Sequence, residues 1–167
     1  MGNYLGAQIN DVALQDQDDA IYGIVDYHAL TTVHDGQQMR QLTHEMVLDL
    51  LAVGLDPERC ALIRQSDFPE HAELAWIFNT VVPVAWAERT PTYKEKREQG
   101  IENSLGLLDY PVLQAGDIVI LKANQLPIGK EHATHLRMAR RTHPGCHRRH
   151  RPNFPGHRGV YPPPPPR

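Results

Sequence analysis

Features that would place the protein in an oxidising compartment or in a membrane are missing from the sequence. The 167 residues include only two cysteines. They form neither a CxxC pair nor a disulfide framework, so Cys60 is expected to be a buried thiol in a reducing compartment. No apolar run reaches membrane-spanning length. The N-terminal MGNYLGAQIND lacks the layout of a signal peptide, and Gly6 stands where a myristoylation motif needs Ser or Thr. These absences predict a cytoplasmic protein without membrane contacts.

Acidic residues are missing from the C-terminal part of the chain. Residues 1–134 hold nine Lys or Arg and all twenty Asp or Glu, a net charge of −11. Residues 135–167 hold eight Arg and no acid, a net charge of +8. The formal total of −3 averages two unlike parts and by itself predicts no partner.

Hydrophobic periodicity is missing from residues 142–167. This segment is dense in Pro, Gly, His and Arg, and five consecutive prolines precede its last residue. Such a composition cannot bury enough surface to fold alone, which predicts a disordered tail with polyproline II near its end. We interpret it as non-native sequence, such as an out-of-frame read. His143, Cys146, His147 and His150 are not expected to form a zinc site, and no bound metal is predicted elsewhere.

Short apolar runs alternate with helical patterns in the rest of the chain. Buried strands are predicted at 20–25 and 60–63, and a third strand at 125–128. One helix is predicted to begin after an N-cap at Asp35 and to end at Gly54. Further helices are predicted over 3–15 and 104–122, and two more begin at residues 69 and 130. This order indicates an α/β fold with an open parallel sheet flanked by helices. Ligands of such sheets bind beyond the carboxyl ends of the strands. Polar residues or Gly follow all three strands there: His28, Gln65–Ser66 and Gly129–Glu131.

Asp117 is the one carboxylate in an otherwise apolar run, from Val112 to Leu121. A buried charge costs several kcal/mol unless something pairs with it. The partner could be a flat aromatic ligand with a single N–H donor in an apolar pocket. Alternatively, Asp117 lies on the wet side of an amphipathic helix, where water or a nearby Lys satisfies it. Taken alone, the residue favours the second interpretation.

Several sequence motifs, which occur in a fixed order along the chain, favour the first interpretation of Asp117, a ligand-binding role. They are IVDYHALTT, GLDP, QS followed by PEHAELAW, TYKEK, GLLDYPVLQAGDI and LPIG. Together they resemble the tryptophanyl-tRNA synthetase family, class I enzymes with a Rossmann-like catalytic domain, over about residues 2–141. The resemblance implies that residues 1–141 are part of that domain and that 142–167 follow it as the tail. It also implies activation of L-tryptophan by ATP with Mg²⁺, transfer to tRNA(Trp), and a homodimer.

The resemblance also implies roles for individual residues. Asp117 matches the acid that accepts the indole N–H, and a site built on that bond would reject analogues without the donor. The tryptophan site would further include His28, Gln114, Ile128 and His132. The ATP site would include Gly2 and Asn3, at the end of the HIGH signature, together with Gly129, Lys130 and Glu131. Lys96 in TYKEK would reach the phosphates as the catalytic residue.

Departures from the family pattern bear on activity. Gly129–His132 reads GKEH where the family has Gly-Glu-Asp-Gln, so His132 replaces a Gln that holds the substrate amino group. The first family strand, the first half of HIGH, KMSKS and the anticodon-reading domain have no counterpart. We therefore expect the chain alone to be inactive and poorly stable. Two other interpretations stay open: a tyrosyl-tRNA synthetase, and a non-catalytic fragment that binds a partner through residues 76–86 and RNA through the tail.

Overall fold

The computed structural model describes residues 12, 14–16, 19–98, 104–123, 125–127, 142 and 158–160. The chain divides into two compact units, Met1–Phe68 with Pro162–Arg167, and Pro69–Tyr161. We call them the first and second units. Of the helix predicted over 3–15, residues 12, 14 and 15 are described; residues 12 and 14 are helical, and Gln15 lies in a turn. The predicted division at residue 141 stays a prediction.

The first unit contains two of the three predicted strands. Strand β1, Ile21–Ile24, pairs in parallel with β2, Ala61–Arg64, with Ile21 opposite Ala61 and Ile24 opposite Arg64. The strands are where the sequence predicts them, but the prediction that they are buried is wrong. Ile21 is 47% exposed, and Ile24 is the buried residue of β1. Parallel strands become fully buried only where helices cover both faces of the sheet. In a two-stranded sheet, each strand also has one edge without a neighbouring strand.

Helix α1, Asp26–Ala29, follows β1, and helix α2, Gly36–Ala52, follows α1. The predicted caps of α2 are confirmed. The Asp35 carboxylate accepts from the Gln38 N–H at 2.6 Å, and Gly54 has φ = +108°, a conformation that costs glycine little. Apolar residues recur along α2 at helical spacing, yet no residue of this helix is buried. Hydrophobic spacing predicts which side of a helix is apolar and leaves open how fully neighbours cover it.

The second unit is built on two helices. Helix α3, Glu70–Asn79, packs against the 16-residue helix α6, Leu105–Ile120. Two short helices lie between them in the chain, α4 at Val84–Ala87 and α5 at Pro91–Glu98. The buried cluster between α3 and α6 consists of Leu74, Phe78, Val112, Ala115, Ile118 and Val119.

Helix α6 follows the sequence prediction closely. Its N-cap is Ser104, whose hydroxyl accepts from the Leu107 N–H at 3.2 Å. Pro111 lies within the helix and is buried. Its ring removes one backbone donor, a cost that packing against α3 offsets. The buried positions recur every three or four residues along α6, as on one side of a helix.

Strand β3, Gln125–Pro127, pairs in parallel with β4, Arg158–Val160. Strand β3 is predicted by the sequence, whereas β4 lies in the segment predicted to be disordered. Main-chain donors and acceptors pair two strands whatever their side chains, so residues without a hydrophobic period can add to an exposed edge. Apart from Thr142, the rest of that segment lies outside the described residues.

Candidate functional site

Asp117 lies in α6, and its neighbours in the sequence, Gly116 and Ile118, are both buried. Its side chain is only 15% exposed. A solvent-facing carboxylate on an amphipathic helix would be far more exposed, so the interpretation that water satisfies Asp117 is wrong. The Asp117 carboxylate is largely shielded from water, and its place in a ligand site stays a prediction.

A partner for Asp117 comes from the first turn of α3. Nδ1 of His71 lies 2.7 Å from Oδ1 of Asp117, and the His71 side chain is 5% exposed. An ionised carboxylate can only accept hydrogen bonds, so Nδ1 is then the donor. Sequence reasoning anticipated that a buried Asp117 needs a partner but missed His71. The two residues are 46 positions apart, and only the packing of α3 on α6 brings them together.

Gly116 explains how the two helices come so close. A Cβ atom built on Gly116 would lie 3.4 Å from the backbone oxygen of His71 and 3.5 Å from the backbone nitrogen of Ala75. The backbone of α3 therefore occupies the space that a side chain at position 116 would need. The residue next to Gly116 in the sequence is Asp117, so this approach also sets the position of the carboxylate against His71.

Two other predicted site residues belong to the second unit. Gln114 lies on α6 one turn before Asp117, is partly buried and shares its side of the helix. Lys96 lies in α5, and the structure does not describe its side chain. The roles of both residues in binding stay predictions.

His28 belongs to the first unit, in α1 directly beyond the carboxyl end of β1. Two reciprocal hydrogen bonds join the ends of β1 and β2 there. The Gln65 side-chain oxygen accepts from the Tyr27 N–H at 3.1 Å, and the Asp26 carboxylate accepts from the Ser66 N–H at 3.0 Å. Gln65 is 1% exposed. The prediction that His28 and Gln65–Ser66 follow neighbouring strand ends is confirmed.

The remaining predicted site residues lie outside the described part of the chain: Gly2, Asn3, Ile128, Gly129, Lys130, Glu131 and His132. Among the described residues, no three His, Cys, Asp or Glu side chains are grouped so that they could hold a metal ion. No helix in the described ranges has both the length and the apolar character that a membrane span needs.

Proteins of known identity resemble the chain closely. The tryptophan–tRNA ligase of Fusobacterium nucleatum is 45% identical over 140 residues, which are 84% of this chain and 43% of the ligase. Tryptophan–tRNA ligase 2 of Streptomyces avermitilis is 46% identical over 142 residues, which are 84% of this chain and 42% of that ligase. The chain thus spans less than half the length of these relatives.

A solved structure of a tryptophanyl-tRNA synthetase is also similar to this chain. The tryptophanyl-tRNA synthetase of Campylobacter jejuni, crystallised with ADP and tryptophan, has a TM-score of 0.89 and 32% identity. The match covers 96% of this chain and 50% of that one. It confirms the predicted α/β fold, a Rossmann-like parallel sheet with flanking helices. The family model of the class I tRNA synthetases for tryptophan and tyrosine matches residues 1–164, so the chain belongs to this family.

Proposed function

We propose that the chain is part of the catalytic domain of a tryptophan–tRNA ligase. The whole enzyme would activate L-tryptophan with ATP, bound as its Mg²⁺ complex, and would transfer the tryptophanyl group to tRNA(Trp). One observation carries this proposal: Asp117 is a nearly buried acceptor, held by a second helix, in an apolar stretch of α6. Two ligases that are about 45% identical to the chain are named for tryptophan.

In this proposal Asp117 accepts the indole N–H. Burial makes that bond selective, because a ligand without the donor would leave a desolvated carboxylate oxygen without its partner. A phenol ligand presents a hydroxyl at a different place from an indole N–H, which disfavours tyrosine. Gln114 would pack beside the indole, and the other residues of the tryptophan site would be His28, Ile128 and His132.

The nucleotide would be bound by residues 2–3 and residues 129–131, which are far apart in the sequence. ATP would contact Gly2, Asn3, Gly129, Lys130 and Glu131. Backbone N–H groups at a helix N-terminus favour phosphate oxygens. Lys96 would neutralise charge that develops on the phosphates during adenylate formation. The chain spans less than half of its relatives, and we propose that on its own it does not complete this reaction.

Tryptophan binding tests the proposal directly. Equilibrium dialysis with radiolabelled L-tryptophan and L-tyrosine is expected to show saturable binding of tryptophan and much weaker binding of tyrosine. The variant Asp117→Ala should lower tryptophan affinity about tenfold or more. Asp109→Ala is a matched control on the same helix, since Asp109 accepts from Asn79 Nδ2 at 3.0 Å and has no proposed role. Equal binding of both amino acids, or equal losses in both variants, would refute the proposal.

Activity of the isolated chain is tested separately by tryptophan-dependent exchange of pyrophosphate into ATP. No exchange above background is expected. Clear exchange would show that the segment suffices for adenylate formation, and that part of the proposal would then be wrong.

Self-association is the second part of the proposal, and exposed apolar side chains support it. In the second unit Trp76 is 72% exposed, Val84 62% and Leu105 83%. Large exposed apolar side chains commonly mark contact surfaces. Sedimentation should show a dimer that Trp76→Lys weakens and that Glu58→Lys, a charge change at an exposed position of the first unit, does not. A monomer at all concentrations would contradict this part.

A further inference from the structure

We infer that His71 is a positioning residue that holds the Asp117 carboxylate in the orientation needed to accept an N–H donor from the ligand. The inference rests on the proposed function, because it concerns the same ligand group. It adds a residue from α3 to the site and assigns to it the selectivity for ligands that carry the donor.

The geometry of the pair is that of a specific hydrogen bond. Nδ1 of His71 and Oδ1 of Asp117 are 2.7 Å apart, at the short end of the range for N–H···O bonds. Both side chains are largely shielded from water, at 5% and 15% exposure. Water therefore competes weakly for either group, and the bond is stronger than it would be at the surface.

A carboxylate needs such a bond to be oriented. The χ2 torsion of an aspartate is broad and roughly two-fold, so the side chain alone does not fix where its two oxygens lie. A bond from another helix to Oδ1 fixes that torsion and so sets the direction of every lone pair of the group. A carboxylate has about four acceptor positions, and one bond from His71 leaves capacity for others. The orientation of the carboxylate thus depends on a residue that need not touch the ligand.

The position of His71 is itself set by backbone packing. The close approach at Gly116 places the His71 backbone oxygen 3.4 Å from where a Cβ of residue 116 would be. The imidazole is carried by the first turn of a ten-residue helix whose next turns hold the buried residues Leu74 and Phe78. A donor on a rigid, packed element keeps its place better than one on a loop.

A purely structural role for the pair is the competing explanation. In that case His71 and Asp117 would only join α3 to α6, and removing the bond would weaken binding of every ligand to the same extent. A positioning role predicts that only ligands with an N–H donor are affected. A tryptophan analogue in which sulfur replaces the indole N–H, 3-benzothienyl-L-alanine, separates the two explanations.

The experiment measures the affinity of the full chain for both ligands by competition dialysis. The variant His71→Phe keeps a buried ring and removes the donor. It should lower tryptophan affinity about tenfold and leave that of the benzothienyl analogue within about twofold of the unchanged protein. His71→Asn puts an amide N–H where Nδ1 was and should restore most of the loss. The control His44→Phe, at an exposed position of α2, should change neither affinity.

The outcomes distinguish the inference from the proposed function. If His71→Phe lowers the affinity for both ligands equally, or for neither, His71 has no positioning role. Asp117→Ala could still lower the affinity for tryptophan alone, and that result would support tryptophan recognition. If Asp117→Ala also affects both ligands equally, the proposed function itself fails. If His71→Phe does not fold, His71→Asn and His71→Gln are compared instead. Asn keeps an N–H donor near the position of Nδ1, whereas Gln moves that donor by one bond. Equal tryptophan affinities in those two variants would overturn the inference.

Discussion

Replacing Gly116 by Val is expected to destabilise the second unit by about 1–3 kcal/mol, the usual cost of overpacking a tight contact. A Cβ at this position would already touch the His71 backbone oxygen at 3.4 Å and the Ala75 backbone nitrogen at 3.5 Å. The two γ-methyl groups of Val extend further, and the atoms that they would meet are backbone, which cannot rotate away. The helices must then separate, and the hydrogen bond between His71 and Asp117 lengthens with them.

The same helix offers a matched control. A Cβ at Gly106 has only the Ser104 hydroxyl nearby, at 3.6 Å, and the position is exposed. Val has a slightly better helix propensity than Gly, so Gly106→Val should change stability by no more than about 0.5 kcal/mol. The difference between the two variants therefore isolates the contact between helices from the effect of propensity.

Urea unfolding followed by tryptophan fluorescence measures this difference. Trp76 and Trp86, the two tryptophans of the chain, both lie in the second unit, and Trp86 packs against its buried cluster. Trp76→Phe removes the signal of the exposed ring, so that the remaining signal reports on the cluster. Equal unfolding midpoints for the Gly116→Val and Gly106→Val variants would refute the close-packing argument. Gly116→Val should also weaken tryptophan binding if the pair that it disturbs orients the ligand.

Two further predictions concern the first unit. Burial, and then the Asp56 carboxylate, raise the pKa of the Cys60 thiol. A Cys146→Ser variant leaves Cys60 as the one thiol. Near pH 8, this thiol should react with a disulfide reagent more slowly in the folded protein than in the protein unfolded by urea. Equal rates in the folded and unfolded states would contradict this prediction. Because the pKa is raised on folding, the stability contributed by the neutral thiol is complete below the ordinary thiol pKa and is lost as the pH rises through the folded value. Gln65→Leu leaves the Tyr27 N–H without its acceptor and should cost about 1–3 kcal/mol. Thermal unfolding followed by circular dichroism checks this against the exposed control Gln41→Leu, and equal shifts would show that the buried bond contributes nothing.

Much of the local structure was predictable because its causes are local. Asp35 caps the helix that follows it, and Gly54 takes the positive φ at which that helix ends. Both effects depend on a few neighbouring residues. The strands β1 and β2 follow from short apolar runs for the same reason.

The extent of burial was not predictable in the same way. The sequence predicts that β1 and β2 are buried, but Ile21 is 47% exposed. Burial depends on which elements cover a surface, and that involves residues far away in the chain. Strand β4 was missed for a similar reason, since it forms by pairing with β3, about thirty residues earlier.

The composition around Asp117 determined only that this carboxylate would need a partner if it were buried, because desolvating an unpaired charge costs several kcal/mol. The order of the motifs determined the family. Only the tertiary structure decided that His71 is a partner, 46 residues away, and that Gly116 makes room for it. The reason is physical: the need for a partner follows from the chemistry of one side chain, whereas the choice of partner follows from how closely two helix backbones can approach.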